Sequence, residues 1–416
     1  MLAAMQDLRW PTYAVRDLVL DGAAPGRDPD GRGSVYVADA EGNEYLDGVG
    51  GIGCLPLGHA HPKWVAAIAE QAGKIAVAAA TFPTAPQRRF VELLVERSVV
   101  PDARVFLANT GTESNEAGIK IALRATKRDV IIGFERAFHG RTLGSIALTA
   151  TPAYRDPYVS CLGEPDERFA RMNVARAVFD DLESVEKLFK QYGERVAAVF
   201  VEPIQGEGGI HPASKAFLLG LRGMCNEYGA LLGTDEIQCG SGRTGNFDAW
   251  TTIVGDDPKD APDIAWYAKA LGGGFPIAAC VAKAGIAEHM SKGSHGSTFG
   301  GNPLASAAGL ATLQIMDDEN LLDAAADQLP TLHEIVAERP HRRVTEVRGL
   351  GAMLGIEISG EGEPAAPLGD ILQDEGLLVT VCKGKTIRLL LPYRADEAIL
   401  RDAWSRIRRG LDKLHT

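Results

Sequence analysis

Residues 262–275 read PDIAWYAKALGGGF. The candidate strand DIAWY (263–267) leads through Ala268 into Lys269, and three consecutive glycines follow soon after. Short, nearly continuous apolar runs bounded by turn residues are characteristic of strands covered on both faces. The same arrangement occurs four times upstream. RVFLA (104–108) runs into NTGTESNE, DVIIGF (129–134) into ERAFHGRT, AAVFVE (197–202) into PIQGEGG, and ALLGTD (230–235) into EIQCGSGRTG. Helical stretches separate these runs, so the pattern predicts an α/β architecture with a largely parallel sheet. Ligands of such sheets sit outside the carboxyl ends of the strands. Five polar loops, Lys269 among them, are therefore expected to converge on one site.

The flanks are organised differently. GSVYVADAEGNEYLDG (33–48) reads as strand, turn and strand. From about residue 303 an Ala/Leu-rich helical pattern begins, followed by strand-like GAMLGIEI and TIRLLLP and a terminal helix, DEAILRDAWSRIRRGLDKL. The expected division is an N-terminal segment (1–58) contributing to a small α+β domain, a large domain (59–302), and the C-terminal part of the small domain (303–416).

The chain has 416 residues, with 43 Lys+Arg against 55 Asp+Glu and a net charge of −12. A field of that sign disfavours non-specific binding to nucleic acid or anionic membranes. Its six cysteines (Cys54, Cys161, Cys225, Cys239, Cys280 and Cys382) form no C-x-x-C pair, which suggests neither a zinc site nor a disulfide framework. Reduced thiols in a cytoplasmic protein are expected. The N-terminus has no secretory pattern, and no stretch approaches the roughly 18 apolar residues of a membrane span.

Each loop residue has an ordinary reading. Thr110 and Glu113 fit a helix capping box, with Thr112 as an alternative start; Asp235 could be a salt-bridge partner or cap; Lys269 could cover apolar surface with its stem. Together they fit one chemistry. Gly111 and Thr112 at a helix N-terminus offer amides and a positive dipole to a phosphate. A buried carboxylate such as Asp235 needs a cationic partner, and one placed opposite a pyridine nitrogen keeps that ring protonated. A desolvated lysine amine forms a Schiff base with a carbonyl. Phosphate cup, carboxylate and lysine are the three supports of pyridoxal 5′-phosphate.

NTGTESNEA, AFHGRTLGS, VEPIQGEGGI, DEIQCGSGRTG, AKALGGGFP, HGSTFGGNPLA and VRGLGAMLGIE, in this order, resemble the class III, fold-type I pyridoxal-phosphate aminotransferases. The resemblance runs from about residue 39 to about 392 and within the family is greatest to the acetylornithine aminotransferases. It implies a large domain with a mostly parallel sheet flanked by helices, plus a smaller α+β domain. It implies that Lys269 carries the cofactor and moves the proton, that Asp235 pairs with the pyridine nitrogen, and that Gln238 lies near the phenolic oxygen. Thr110, Gly111 and Thr112 would hold the phosphate and Phe138 would stack on the ring. Thr298 would reach the phosphate of a neighbouring subunit, which makes a homodimer with shared sites. Arg141 would bind the carboxylate of an acylated ornithine or the side chain of glutamate, Arg388 the glutamate α-carboxylate, and Glu207 would pair with Arg388 when the other substrate is bound. The implied substrates are glutamate, 2-oxoglutarate and N²-acetylornithine.

Some positions depart from the family pattern. NTGTESNE stands where NSGTEANE is more usual, Cys239 where threonine is common, and RLLLPYRA where R-F-x-P-P-L is more frequent. Ile52 and Cys54 occupy the entrance loop, with no tyrosine there to orient free ornithine. Succinylornithine, 4-aminobutyrate and a carrier-linked lysine-pathway intermediate are the other substrates of this chemistry. GVGGIG (48–53) satisfies the G-x-G-x-x-G of a dinucleotide-dependent oxidoreductase, but CLPLGHAHP after it is too rich in Pro and Gly to open the required helix. A binding-only relative would have no need of Lys269 and Asp235. His59 and His61 lack a nearby third metal ligand, and CKGKT (382–386) reads as a turn.

Overall fold

The computed structural model describes residues 18–24, 31–159, 172–359 and 365–414, with Trp10, Thr12 and Arg16 and without the side chains of residues 365 and 366. Cys161 lies outside the described residues.

Each of the five apolar runs forms a strand within a residue of its expected limits. They belong to a seven-stranded sheet, in spatial order Ala103–Ala108, Ala278–Lys283, Ile264–Tyr267, Leu231–Asp235, Val196–Val201, Val130–Phe134 and Asn173–Ala177. Six strands point the same way. Ala278–Lys283 runs against both of its neighbours. All residues of Val130–Phe134, Val196–Val201 and Ile264–Tyr267 are buried, because helices cover both faces. Ile131, Ala198, Phe200, Ile264 and Trp266 pack with Ala117, Ile119 and Ala122 of the helix Gly111–Thr126 on one face. Val130, Ile132, Val199 and Val201 pack with Phe189, Phe217 and Leu221 of the helices Leu182–Tyr192 and Lys215–Tyr228 on the other. The alternation is the two-residue period of a strand.

Neither Asn173–Ala177 nor Ala278–Lys283 stands out in the sequence. The latter reads AACVAK, with one β-branched residue, so neither propensity nor pattern marks it. Only its position between two strong strands makes it one.

A second, antiparallel sheet runs Val344–Leu350, Met353–Ile358, Thr386–Leu389, Thr380–Cys382. Its core includes Leu332, Ile335, Leu400, Trp404 and Ile407 from the helices Leu321–Glu338 and Glu397–Lys413. The N-terminal hairpin, Tyr36–Asp39 with Glu44–Asp47, joins that core through Tyr36 and Leu46 and pairs in parallel with Leu377–Leu378. The helix Pro303–Asp318 contributes Leu313, Ile315 and Met316 to the cluster holding Tyr267 and Leu271 beside the large sheet.

GVGGIG continues into no helix of the dinucleotide-binding kind. Gly50, Gly51, Ile52 and Gly53 form a turn with φ of 54°, 62°, 63° and 81°. Arg243, from GSGRTG, anchors it: the buried guanidinium donates to the carbonyls of Gly53, Ala352 and Leu391. CKGKT is the turn between Thr380–Cys382 and Thr386–Leu389. His59 meets Asp47 at 2.8 Å and His61 meets Glu319 at 3.3 Å. Among the described residues no helix is long and apolar enough to cross a membrane.

Candidate active site

A cavity of about 420 Å³ opens at the carboxyl edge of the large sheet. All five expected loops line it: Asn109–Thr112, Phe138–Arg141, Glu202 with Glu207, Asp235 with Gln238, and Lys269. Phe275, Pro276 and Ile277 add a sixth wall, because the reversed strand begins at the edge where the others end. Cys54 completes the lining from the N-terminal turn.

Asp235 ends its strand with the carboxylate buried. Its Oδ2 accepts from Asn115 Nδ2 at 3.1 Å and sits 2.7 Å from His139 Nδ1, while Oδ1 accepts from the Ile237 amide. His139 is thus the buried hydrogen-bond partner of this interior carboxylate, and a counter-charge to it when protonated. Burial works against protonating His139, but the hydrogen bond and charge of Asp235 outweigh it and raise the imidazole pKa. His139 Nε2 is buried without a partner among the described residues.

Thr110 caps the helix Gly111–Thr126, and the capping box is complete: Thr110 Oγ1 accepts from the Glu113 amide, and Glu113 Oε2 accepts from the Thr110 amide. The first-turn amides of Gly111 and Thr112 face the cavity end without an acceptor among the described residues. That is the local condition for binding an anion. Thr112 Oγ1 lies 2.8 Å from Thr142 Oγ1.

Lys269 follows the strand Ile264–Tyr267 at φ 42°, a left-handed conformation uncommon outside glycine and often found at functional sites. Burial lowers its pKa, with Glu207 acting in the opposite sense. Its amine makes no hydrogen bond among the described residues. The glycines after it serve the turn: Gly273 has φ 62°, and a Cβ there would lie 2.5 Å from Thr312 Oγ1 and 2.7 Å from Trp64 Nε1.

Arg388, from the second sheet, backs two residues of the cavity wall. Its Nη1 donates to Glu207 Oε1 at 2.6 Å and to Gln238 Oε1 at 3.2 Å. Burial raises the Glu207 pKa, yet Arg388 and Lys269 outweigh it and hold the carboxyl below its ordinary value. Arg141 is exposed at the mouth, 3.5 Å over the Tyr154 ring and 5.7 Å from the Phe138 ring centroid. Thr298 is exposed and lies outside this cavity; its neighbour Ser297 accepts from Asn109 Nδ2 at 3.1 Å. Cys239 turns beneath the site, with its thiol 3.5 Å from the Asp235 carbonyl.

A family model described as aminotransferase class-III matches residues 29–411. The chain belongs to the class-III aminotransferases. An acetylornithine aminotransferase of Xanthomonas axonopodis pv. citri is 39% identical over 414 residues, covering 96% of this chain and 94% of the relative. A LysW-aminoadipate semialdehyde transaminase of Deinococcus radiodurans is 38% identical over 86% of this chain and 79% of its own length. Among solved structures, the ornithine aminotransferase of Toxoplasma gondii, described with partial occupancy of pyridoxal phosphate, superposes with a TM-score of 0.85 at 27% identity. It covers 98% of this chain and 92% of that one. The architecture is therefore fold-type I, and the protein is an aminotransferase.

Two residues of this aminotransferase site escaped the sequence reading. His139 lies within AFHGRT, but only the fold brings it to Asp235. Glu202 directly follows the strand Val196–Val201 and accepts from the Phe138 amide at 3.0 Å and the Gly206 amide at 3.3 Å. Burial pushes its pKa up to about 7, although His139 pulls it down. The folded protein therefore holds this proton more firmly than the unfolded chain does, and stability falls as pH rises from the usual carboxyl range towards 7. Glu202→Gln is expected to remove that slope. Between about pH 5 and about pH 7.5, the cofactor-free wild type should lose on the order of 2 kcal/mol relative to the variant. Paired melts at the two pH values check it, since Glu236, also pushed up to about 7 by burial, contributes equally to both proteins. Equal slopes would mean that Glu202 is ionised throughout.

Proposed function

We propose that this aminotransferase uses pyridoxal 5′-phosphate to exchange an amino group between L-glutamate/2-oxoglutarate and N²-acetylornithine/N-acetylglutamate 5-semialdehyde. The observation that carries this reading is the pairing of Arg388, just behind the cavity, with Glu207, which lines the same cavity as Lys269, with Arg141 at its mouth. Two guanidinium groups suit a donor with two carboxylates, glutamate. An arginine that can be neutralised by Glu207 suits a second substrate with only one.

The residues present fit the cofactor. Free amides at Gly111 and Thr112, with the Thr110 and Thr112 hydroxyls, would hold its phosphate; Asp235 would face the ring nitrogen; Phe138 would cover the ring. Gln238 gives its carbonyl oxygen to Arg388 and would turn an amide N–H, which also meets Glu207, towards the phenolic oxygen. When bound, pyridoxal phosphate supplies a carbonyl for an amine and a ring that delocalises the electrons left by a departing proton. The protein does the rest. Lys269 Nζ, whose charged form burial disfavours, would hold the carbonyl end and move the proton at the substrate carbon bearing the amine. Asp235, held in place by His139, would keep its carboxylate charge opposite the ring nitrogen, and the arginines would orient the bond to be broken.

An N-acylated donor is supported by the entrance. Cys54 lines the cavity, whereas the side chain of Ile52 is 46% exposed, so no hydroxyl waits there for a free α-amine. Acetylornithine aminotransferases among the relatives point the same way. The Deinococcus relative favours one second reading, a carrier-linked semialdehyde. Thr298, outside its own chain's cavity and next to exposed Phe299, supports a homodimer in which it serves the partner's phosphate. The five described cysteines are free thiols, which supports a cytoplasmic location. The division into 1–58 with 303–416 and 59–302 is supported by the core that the N-terminal hairpin shares with the second sheet.

The test is spectroscopic. Purified protein supplied with pyridoxal phosphate should acquire the visible absorption of a lysine-bound cofactor, and L-glutamate should bleach it. N²-acetylornithine should bleach it faster than ornithine or 4-aminobutyrate. A protein that stays colourless would remove Lys269 from the role given to it.

A further inference from the structure

We propose that Arg348 is a positioning residue for the Glu207–Arg388 pair. By fixing the turn that carries Glu207, it sets whether Arg388 is held or released to take a substrate carboxylate. The inference rests on the functional reading above and extends it to a residue outside the cavity.

Arg348, Gly355 and Arg388 lie in one row across three strands: Arg348 pairs with Gly355, and Gly355 with Arg388. Residues in one cross-strand row share a face, so two arginines flank a gap on the face towards residues 206–210. Ile210 fills that gap. A Cβ on residue 355 would come within 2.9 Å of the Ile210 Cβ. The turn is not relaxed on its own account, since Gly209 has φ 113° and Ile210, a β-branched residue, has φ 57°.

The two arginines do different work. Arg348 Nε donates to the Gly209 and Ile210 carbonyls at 3.1 and 2.9 Å, and Nη2 donates to the Gly209 carbonyl at 2.7 Å and Thr386 Oγ1 at 3.1 Å. Its Nη1 donates to Glu346 at 2.6 Å and Glu357 at 2.5 Å. Every nitrogen is used, and a planar fork meeting two successive carbonyls is geometry that lysine lacks. Arg388 holds Glu207 and Gln238 through Nη1, while its Nε is buried without a partner among the described residues. One guanidinium is saturated and fixed. The other has donors to spare and one exchangeable carboxylate. Thr386, bound by Arg348, lies two residues before Arg388 on the same strand face, so Arg348 ties together the backbones bearing both members of the pair.

Loosening the turn should free Arg388 from Glu207. That harms the half-reaction with the single-carboxylate amine and spares the half-reaction with glutamate, which needs Arg388 free. Single-turnover rates with each donor should show Arg348→Met lowering kcat/KM for N²-acetylornithine about tenfold relative to glutamate. In a Glu207→Gln background, where there is no carboxylate left to position, the same change should shift that ratio less than about twofold. Hydrogen exchange should quicken at residues 206–210 and stay slow in the sheet. If Arg348→Met does not fold, Arg348→Lys keeps a cation beside Glu346 and Glu357 and is expected to shift the ratio in the same direction by less. Parallel losses in both half-reactions, or an undiminished effect without Glu207, would overturn the inference while the wild type remains active with both donors. A wild type that reacts with neither donor would overturn the functional reading itself, and this inference with it.

Discussion

Replacing Lys269 with alanine is expected to abolish turnover, by about 10⁴-fold or more, while the protein remains folded. On the function proposed above, the variant loses both the amine that would hold the cofactor's carbonyl end and the base that would move the substrate proton. No other described lysine lines the cavity, so no neighbour can substitute. The fold should tolerate the change. The Lys269 amine has no hydrogen bond among the described residues, and the turn is secured by Trp64 Nε1 donating to the Gly272 carbonyl at 3.1 Å. Steady-state rates with glutamate and 2-oxoglutarate, a melting curve and the visible spectrum form the complete measurement. Appreciable transamination by a folded Lys269→Ala protein would sink the assignment.

The second large effect is expected from Asp235→Asn. The amide keeps the shape and removes the charge, so on the proposed function the ring nitrogen would lose its anionic partner, and His139 loses the carboxylate beside it. A fall in kcat of about 10²–10³ is expected, the range for removing one fixed electrostatic partner from a water-excluded site. Burial then acts on His139 unopposed by the carboxylate, and the imidazole pKa should drop from its raised value. An NMR titration of His139 alongside the kinetics distinguishes lost charge from a disturbed fold. An unchanged rate, with the His139 titration moved, would show that the charge serves only structure.

Much of this was legible in the chain itself. The five strands could be located within a residue because burial on both faces leaves a continuous apolar run, a local signal. Lys269 and Asp235 stood out because a charged residue ending such a run is costly unless it has work to do. The capping box at Thr110 was legible for the same local reason: its partners lie three residues apart.

What stayed hidden depends on register and long-range approach. His139 and Asp235 are 96 residues apart; nothing in AFHGRT says which side chain will meet a strand end elsewhere. Ala278–Lys283 becomes a strand because two neighbours offer it hydrogen bonds, and its reversed direction brings Phe275–Ile277 into the cavity wall. Arg348, Gly355 and Arg388 form a row only when three strands adopt one register, and a slip of one residue would turn the arginines to the opposite face. The sequence by itself determined the strands, the helix cap and the chemical types gathered at the sheet edge, because these follow from local periodicity and the cost of burying charge. Only the tertiary structure decided which charges meet and which arginine is fixed, because pairing energies depend on distances that chain order does not encode.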